Sequence, residues 1–210
     1  MSAGKSKQKK MNVRVDFTPM VDMMMLLITF FMLTSTFVKQ EPVKVNTPGS
    51  VSEIKVPETN VLNILVGNDG KIFMSMDKTT DTQTALSSIT DQFGISLTAA
   101  QQKAFLDDPM WGVPMQKLQA YLSLDKNTRP AELKNFGIPT DSVQGKTGDA
   151  AMSEFQLWVK AAHEANPDAK IAIKADERTP YKTVKKIMSE LQDMNENRYY
   201  LITQYKKAED

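Results

Sequence analysis

The chain has 210 residues, with 26 Lys and Arg against 25 Asp and Glu, and this balance argues against binding to nucleic acid, which draws on a basic excess. Its 41% hydrophobic and 24% charged content is that of a folded chain rather than a disordered one. The absence of cysteine excludes a disulfide framework and any Cys-based metal site, and leaves the redox compartment open.

Residues 1–16 form a basic tail, with Lys5, Lys7, Lys9, Lys10 and Arg14 against Asp16 alone. The run that follows, 17–38 (FTPMVDMMMLLITFFMLTSTFV), is apolar and long enough for a helix to cross a bilayer, given ~1.5 Å of rise per residue and a hydrocarbon core of ~30 Å. Beyond it stand only Lys39 and Lys44, with Glu41 between them, so the positive-inside rule keeps the N-terminus in the cytoplasm and places the rest outside. A cleaved signal peptide opens in the same way. This run is too long for one, carries an acid, and ends without an A-x-A-like cleavage site.

The acid is Asp22. A carboxylate inside a spanning helix costs ~2.5–3.5 kcal/mol on insertion scales, so it is expected to face a partner or a wet path and to have a function. Thr18 followed by Pro19 suits a helix start, threonine capping free backbone N–H groups and proline taking the first helical position. Asp22, Thr29 and Thr36 recur every seven residues and share one seam with Met25, Leu26, Met32 and Leu33. A polar seam on such a helix calls for protein or water beside it, although threonines in spans also bond back to their own backbone. Met20, Met23, Met24, Met25 and Met32 have the thioether that binds Cu(I), yet flexible apolar filler against a moving partner accounts for them better.

At these residues the sequence resembles the ExbD/TolR family, single-span proteins that work with an ExbB/TolQ-type membrane partner as proton-driven motors. The T-P-x-x-D opening is present as Thr18-Pro19-Met20-Val21-Asp22, followed by the apolar 23–32. The V-K-V-N-L-P-like segment beyond the span is present as 43–48, with Thr47 in place of leucine. The match resumes at 170–176 (KIAIKAD), Pro180-Tyr181, Val184, Met188 and 198–203 (RYYLIT). Asp16 stands where the family tends to have asparagine; six residues before Asp22, it does not share that helical face. The resemblance implies Asp22 as proton carrier, a ring of multi-span ExbB-type subunits around a dimer of this chain, and a TonB-like client. It also implies no cofactor and an inner-membrane, single-pass topology with the C-terminal domain in the periplasm.

Residues 39–60 read as an extended linker rich in Pro, Ser, Thr and Val, though Val43, Val45, Val51, Ile54 and Val56 also suit an edge strand. The stretches 61–66 (VLNILV) and 71–75 (KIFMS), joined by Gly67-Asn68-Asp69-Gly70, predict a β-hairpin. Residues 79–150 form an extra segment that the resemblance does not explain, with helices expected at 97–106 after Ser96 and at 115–122 after Pro114. The G-K-T at 145–147 lacks the first glycine of a phosphate-binding loop, Thr140 standing there, and no strand leads into it. An amphipathic helix at 151–165 carries the single histidine, His163, which reads as a surface residue. A strand at 171–173, a helix at 181–194 and a strand at 199–202 suggest a parallel pair with a right-handed crossover, with Lys182, Lys185 and Lys186 on the wet face of that helix.

The expected fold class is therefore α+β: a single N-terminal transmembrane helix, then a periplasmic domain at 61–210 with a small mixed sheet and helices packed on it. The expected function is an ExbD-like motor subunit that energises TonB-dependent outer-membrane transport. A TolR-like or MotB-like stator acting on the envelope or peptidoglycan would share the Asp22 chemistry. A membrane-anchored enzyme would need a nucleophile, base and orienting group, and no such set stands at readable spacing.

Overall fold

The computed structural model describes residues 16–35, 42–50, 59–141, 152–196, 198–202 and 204–205. The chain divides into two compact units, Met1–Lys39 and Gln40–Asp210.

The first unit holds one helix, α1 (Thr18–Thr34), 17 residues and therefore about 25 Å long. None of its residues is buried. Among the described residues no helix is long and apolar enough to cross a membrane. The predicted span runs on to Val38, and 36–38 lie outside the described residues.

In the second unit, β1 (Gly49–Ser50) precedes the hairpin of β2 (Val61–Val66) and β3 (Ile72–Met76). The Gly67 N–H donates to the Lys71 carbonyl at 2.9 Å, and Gly70 takes the positive φ of 77° that the turn requires. The helices α2 (Thr79–Phe93), α3 (Ala99–Asp107), α4 (Met115–Leu122) and α5 (Arg129–Leu133) follow. After them come α6 (Glu154–Ala165), β4 (Lys170–Ala175), α7 (Tyr181–Asp193), β5 (Tyr199–Ile202) and β6 (Gln204–Tyr205).

The main sheet has the order β3-β2-β4-β5, antiparallel between β2 and β3 and parallel across β2-β4 and β4-β5. The protein is thus α+β with a small mixed sheet. β2 is central and buried at every position but Asn63, which explains its continuous apolar run. Phe155, Trp158, Ala161 and Ala162 of α6 and Ile187 and Leu191 of α7 join the same core. Of the predicted linker, Val43 and Val45 pack against this core, Thr47 is buried, and Gly49–Ser50 pairs in parallel with Gln204–Tyr205.

Most of the segment 79–150 folds as a helical layer against α6 and the β3 edge. α2 lies along α6 through Thr82, Ala85, Leu86, Ile89 and Thr90, the spacing of one helical face. Trp111 then bridges the free edge of β3: its N–H and carbonyl each bond Met74 at 2.8 Å. The Ile138 N–H adds a bond to the Ile72 carbonyl at 3.0 Å. Phe105, Trp111 and Trp158 form an aromatic cluster with ring centroids 5.4 to 6.0 Å apart, joining the added helices to α6. Each such pair adds about 0.5–1.5 kcal/mol beyond its buried area.

Two predicted helix starts in the second unit move by two or three residues, and the bounds of β3, β4 and α7 shift by one or two. The helix expected at 97–106 begins at Ala99, because Thr98 and Gln101 form a reciprocal capping box that Ser96 has no partner to make. The helix expected at 151–165 begins at Glu154 for the same reason, with Ser153 and Gln156 as its box. The Gly145 to Thr147 stretch lies outside the described residues.

Candidate functional site

α1 is built by a mostly apolar sequence in which Asp22 is the one titratable side chain. Asp22 lies in the second turn, with Thr18, Pro19, Met25 and Leu26 one turn away. It is exposed, as are the large side chains around it: Met23 is 68% and Leu26 57% accessible. Placement on a helix fixes the direction of the carboxyl more tightly than a loop would.

The helix start differs from the reading in which Thr18 is the cap. Thr18 is already helical, Pro19 follows it within the first turn, and Phe17 occupies the capping position without a side-chain bond. The Asp16 carboxylate serves instead, accepting the Thr18 N–H at 3.0 Å and the Thr18 hydroxyl. These two bonds hold the Asp16 carboxyl below its usual range. Its negative charge also sits at the positive end of the helix dipole. An acid two residues before Thr-Pro was the signal available in the sequence.

Thr29 lies one heptad from Asp22, and its hydroxyl donates to the Leu26 carbonyl at 2.9 Å, within the helix. Thr34 does the same toward Phe30 at 2.8 Å. Thr36 lies outside the described residues, so the seam is seen over Asp22 and Thr29 only.

The second unit buries carboxylates of its own. Glu154, at the first position of α6, is 3% exposed and accepts the Met115 N–H at 2.9 Å, capping α4, whose preceding Pro114 has no side-chain cap to give. Burial pushes its carboxyl up to about 7, with only the Met115 N–H and the Trp158 indole pulling the other way. Glu190 on α7 is likewise raised by burial, offset in part by the Ser153 hydroxyl that donates to it at 2.6 Å. Arg129 is 4% exposed and holds both Asp108 oxygens at 2.9 Å. His163 is exposed, its Nδ1 3.3 Å from a Glu196 oxygen.

The family model described as "Biopolymer transport protein ExbD/TolR" matches residues 8–206, from the basic tail through the closing strands. The chain belongs to the ExbD/TolR family. It is also similar to the "Biopolymer transport protein exbD2" of Vibrio cholerae serotype O1, 29% identical over 70 residues. That match covers 33% of this chain and 52% of the relative, so the chain spans about half the length of the curated relative it matches. No solved structure matches. The helical layer over α6 and β3 lies between the bounds of the ExbD/TolR match, 8–206.

Proposed function

We propose that this ExbD/TolR member is the single-span subunit of an inner-membrane, proton-driven motor, with Asp22 as proton carrier and a non-catalytic periplasmic domain passing motion to a TonB-like client. In this reading 1–16 is the cytoplasmic tail, 17–38 the span, 39–60 the linker and 61–210 the periplasmic domain. An ExbB-type multi-span partner encloses a pair of these helices. The observation that carries it is a lone carboxyl on a helix whose apolar faces are all uncovered in the isolated chain. A helix apolar all round is one that lipid or other helices cover. Residues 17–38 together would extend about 33 Å as a helix, enough for the ~30 Å core.

The chemistry requires Asp22 to change charge while enclosed. Burial against a partner helix favours the neutral acid, and a wet surface on the partner lets it ionise. One charge moved across the membrane supplies ~2.3 kcal/mol per 100 mV, so mechanical work of any size needs several protons. Asp22→Asn retains size and polarity and cannot titrate. We expect it to assemble with the ExbB-type partner and to lose energy-dependent uptake, and Asp22→Glu to restore part of it; full uptake in Asp22→Asn overturns the proposal. Capture of the full chain by a TonB-like periplasmic domain, set against capture by purified cell wall, separates this role from a TolR-like or MotB-like one.

A further inference from the structure

A cleft of about 490 Å3 opens at the carboxyl ends of the parallel strands β2 and β4, a volume in the range of small-molecule sites. The carboxyl ends of parallel strands are where open sheets that carry helices gather their ligands. Four separate stretches line it: 42–46 ahead of β1, the β2-β3 turn, Lys134 just after α5, and the loop of Asp176 and Arg178 before α7. The 42–46 stretch is held in place by two backbone anchors. The Asn46 N–H donates to Asp176 Oδ2 at 3.0 Å, and the Glu177 N–H donates to the Asn46 carbonyl at 2.8 Å.

The charges of this cleft are unevenly satisfied. Asp69 is ion-paired with Lys71 at 2.8 Å, and the same Lys71 ammonium donates to the Lys134 carbonyl at 2.8 Å. Asp176 is likewise engaged, one oxygen with Asn46 and the other with the Arg178 N–H at 3.0 Å. The side chains of Lys44, Lys134 and Arg178 line the same space, and among the described residues none of them has an ion-pair or hydrogen-bond partner. Both lining carboxylates are thus committed, while three cations from three separate stretches remain open. That imbalance favours a ligand that brings negative oxygens of its own.

We propose that this cleft binds a small molecule carrying two oxyanionic groups, bridging the side chains of Lys44, Lys134 and Arg178. Arg178 offers a fork to one group and the lysines act as point charges on the other. Because Lys44 belongs to the 42–46 stretch, which is anchored through Asn46 and packs through Val43 and Val45, a bridging ligand adds a further hold on that stretch. Because Lys134 belongs to the segment 79–150, the site depends on that segment being folded. The proposal is independent of the role of Asp22.

The test uses the full chain in zwitterionic detergent at low salt, titrated calorimetrically with glutarate, with inorganic phosphate, and with the uncharged glutaramide. Saturable binding of glutarate, with or without binding of phosphate, supports a ligand with two oxyanionic groups; saturation by phosphate alone overturns it. The double substitution Lys134→Gln with Arg178→Gln alters exposed side chains and should weaken binding by about tenfold or more, with the fluorescence of the buried tryptophans unchanged. Proteolytic cleavage within 42–50 should slow when ligand is bound. The proposal is overturned by no heat from either anion up to about 10 mM, which would exclude even weak affinity. Equal binding of glutaramide, or undiminished binding in the double variant, overturns it as well.

Discussion

Glu154→Gln is expected to stabilise the second unit, and only above a defined pH. The wild-type carboxyl is raised from 4.5 to about 7 by burial, so the native state holds its proton more tightly than the unfolded chain does. The stabilisation from that proton is complete below pH ~4.5 and is lost as pH rises through ~7. At ~1.4 kcal/mol per unit the loss by pH 8 comes to about 3 kcal/mol. Glutamine keeps an oxygen for the Met115 N–H and carries no charge to bury, so the variant escapes the loss. Glu190 and Asp108 are also raised by burial and still titrate in the variant. The informative quantity is therefore the difference between variant and wild type, near zero at pH 4.5 and about 3 kcal/mol at pH 8. Both tryptophans, Trp111 and Trp158, are buried in the second unit, so their fluorescence during urea unfolding in detergent reports on that unit and not on α1. With a urea slope of about 2 kcal/mol per molar, the midpoints should separate by about 1.5 M at pH 8. A separation that does not change between pH 4.5 and pH 8 refutes the reasoning.

Gly112→Ala should cost about 1–3 kcal/mol, because the added carbon would stand 2.3 Å from Cδ1 of the buried Phe73 ring; the urea midpoint checks this. Arg129→Met leaves the half-buried Asp108 without its cation and should cost about 3 kcal/mol at pH 7, with less loss at pH 4, where the orphaned acid takes up a proton. Unfolding at the two pH values distinguishes that cause from lost packing, which would not depend on pH.

The sequence was most readable where periodicity and punctuation agree. The hairpin is marked by its Gly67-Asn68-Asp69-Gly70 turn, and α4 and α7 follow Pro114 and Pro180 and repeat with the helical period. α2 was not readable. Its sequence, TTDTQTALSSITDQF, is rich in residues that favour caps and turns, and its buried face includes Thr82 and Thr90, so no apolar stripe stands out. The Thr90 hydroxyl is satisfied within the helix, by the Leu86 carbonyl at 2.8 Å, which lets a polar residue face the core. Asp22 stands out because no other side chain of α1 can carry a charge. Glu154 does not, since a glutamate in the first turn of a helix reads as an ordinary surface acid favoured by the dipole. Only the fold brings α4 over it and removes the water.

The bridge between Trp111 and Met74 bears on how other chains can approach. A sheet with two bare borders invites strand addition from either side, in either order, and assemblies built that way can run on without end. Here one border is closed by the chain's own backbone. A polypeptide that adds to the main sheet by main-chain pairing is therefore directed beside β5, and a ribbon growing from both borders of that sheet is disfavoured.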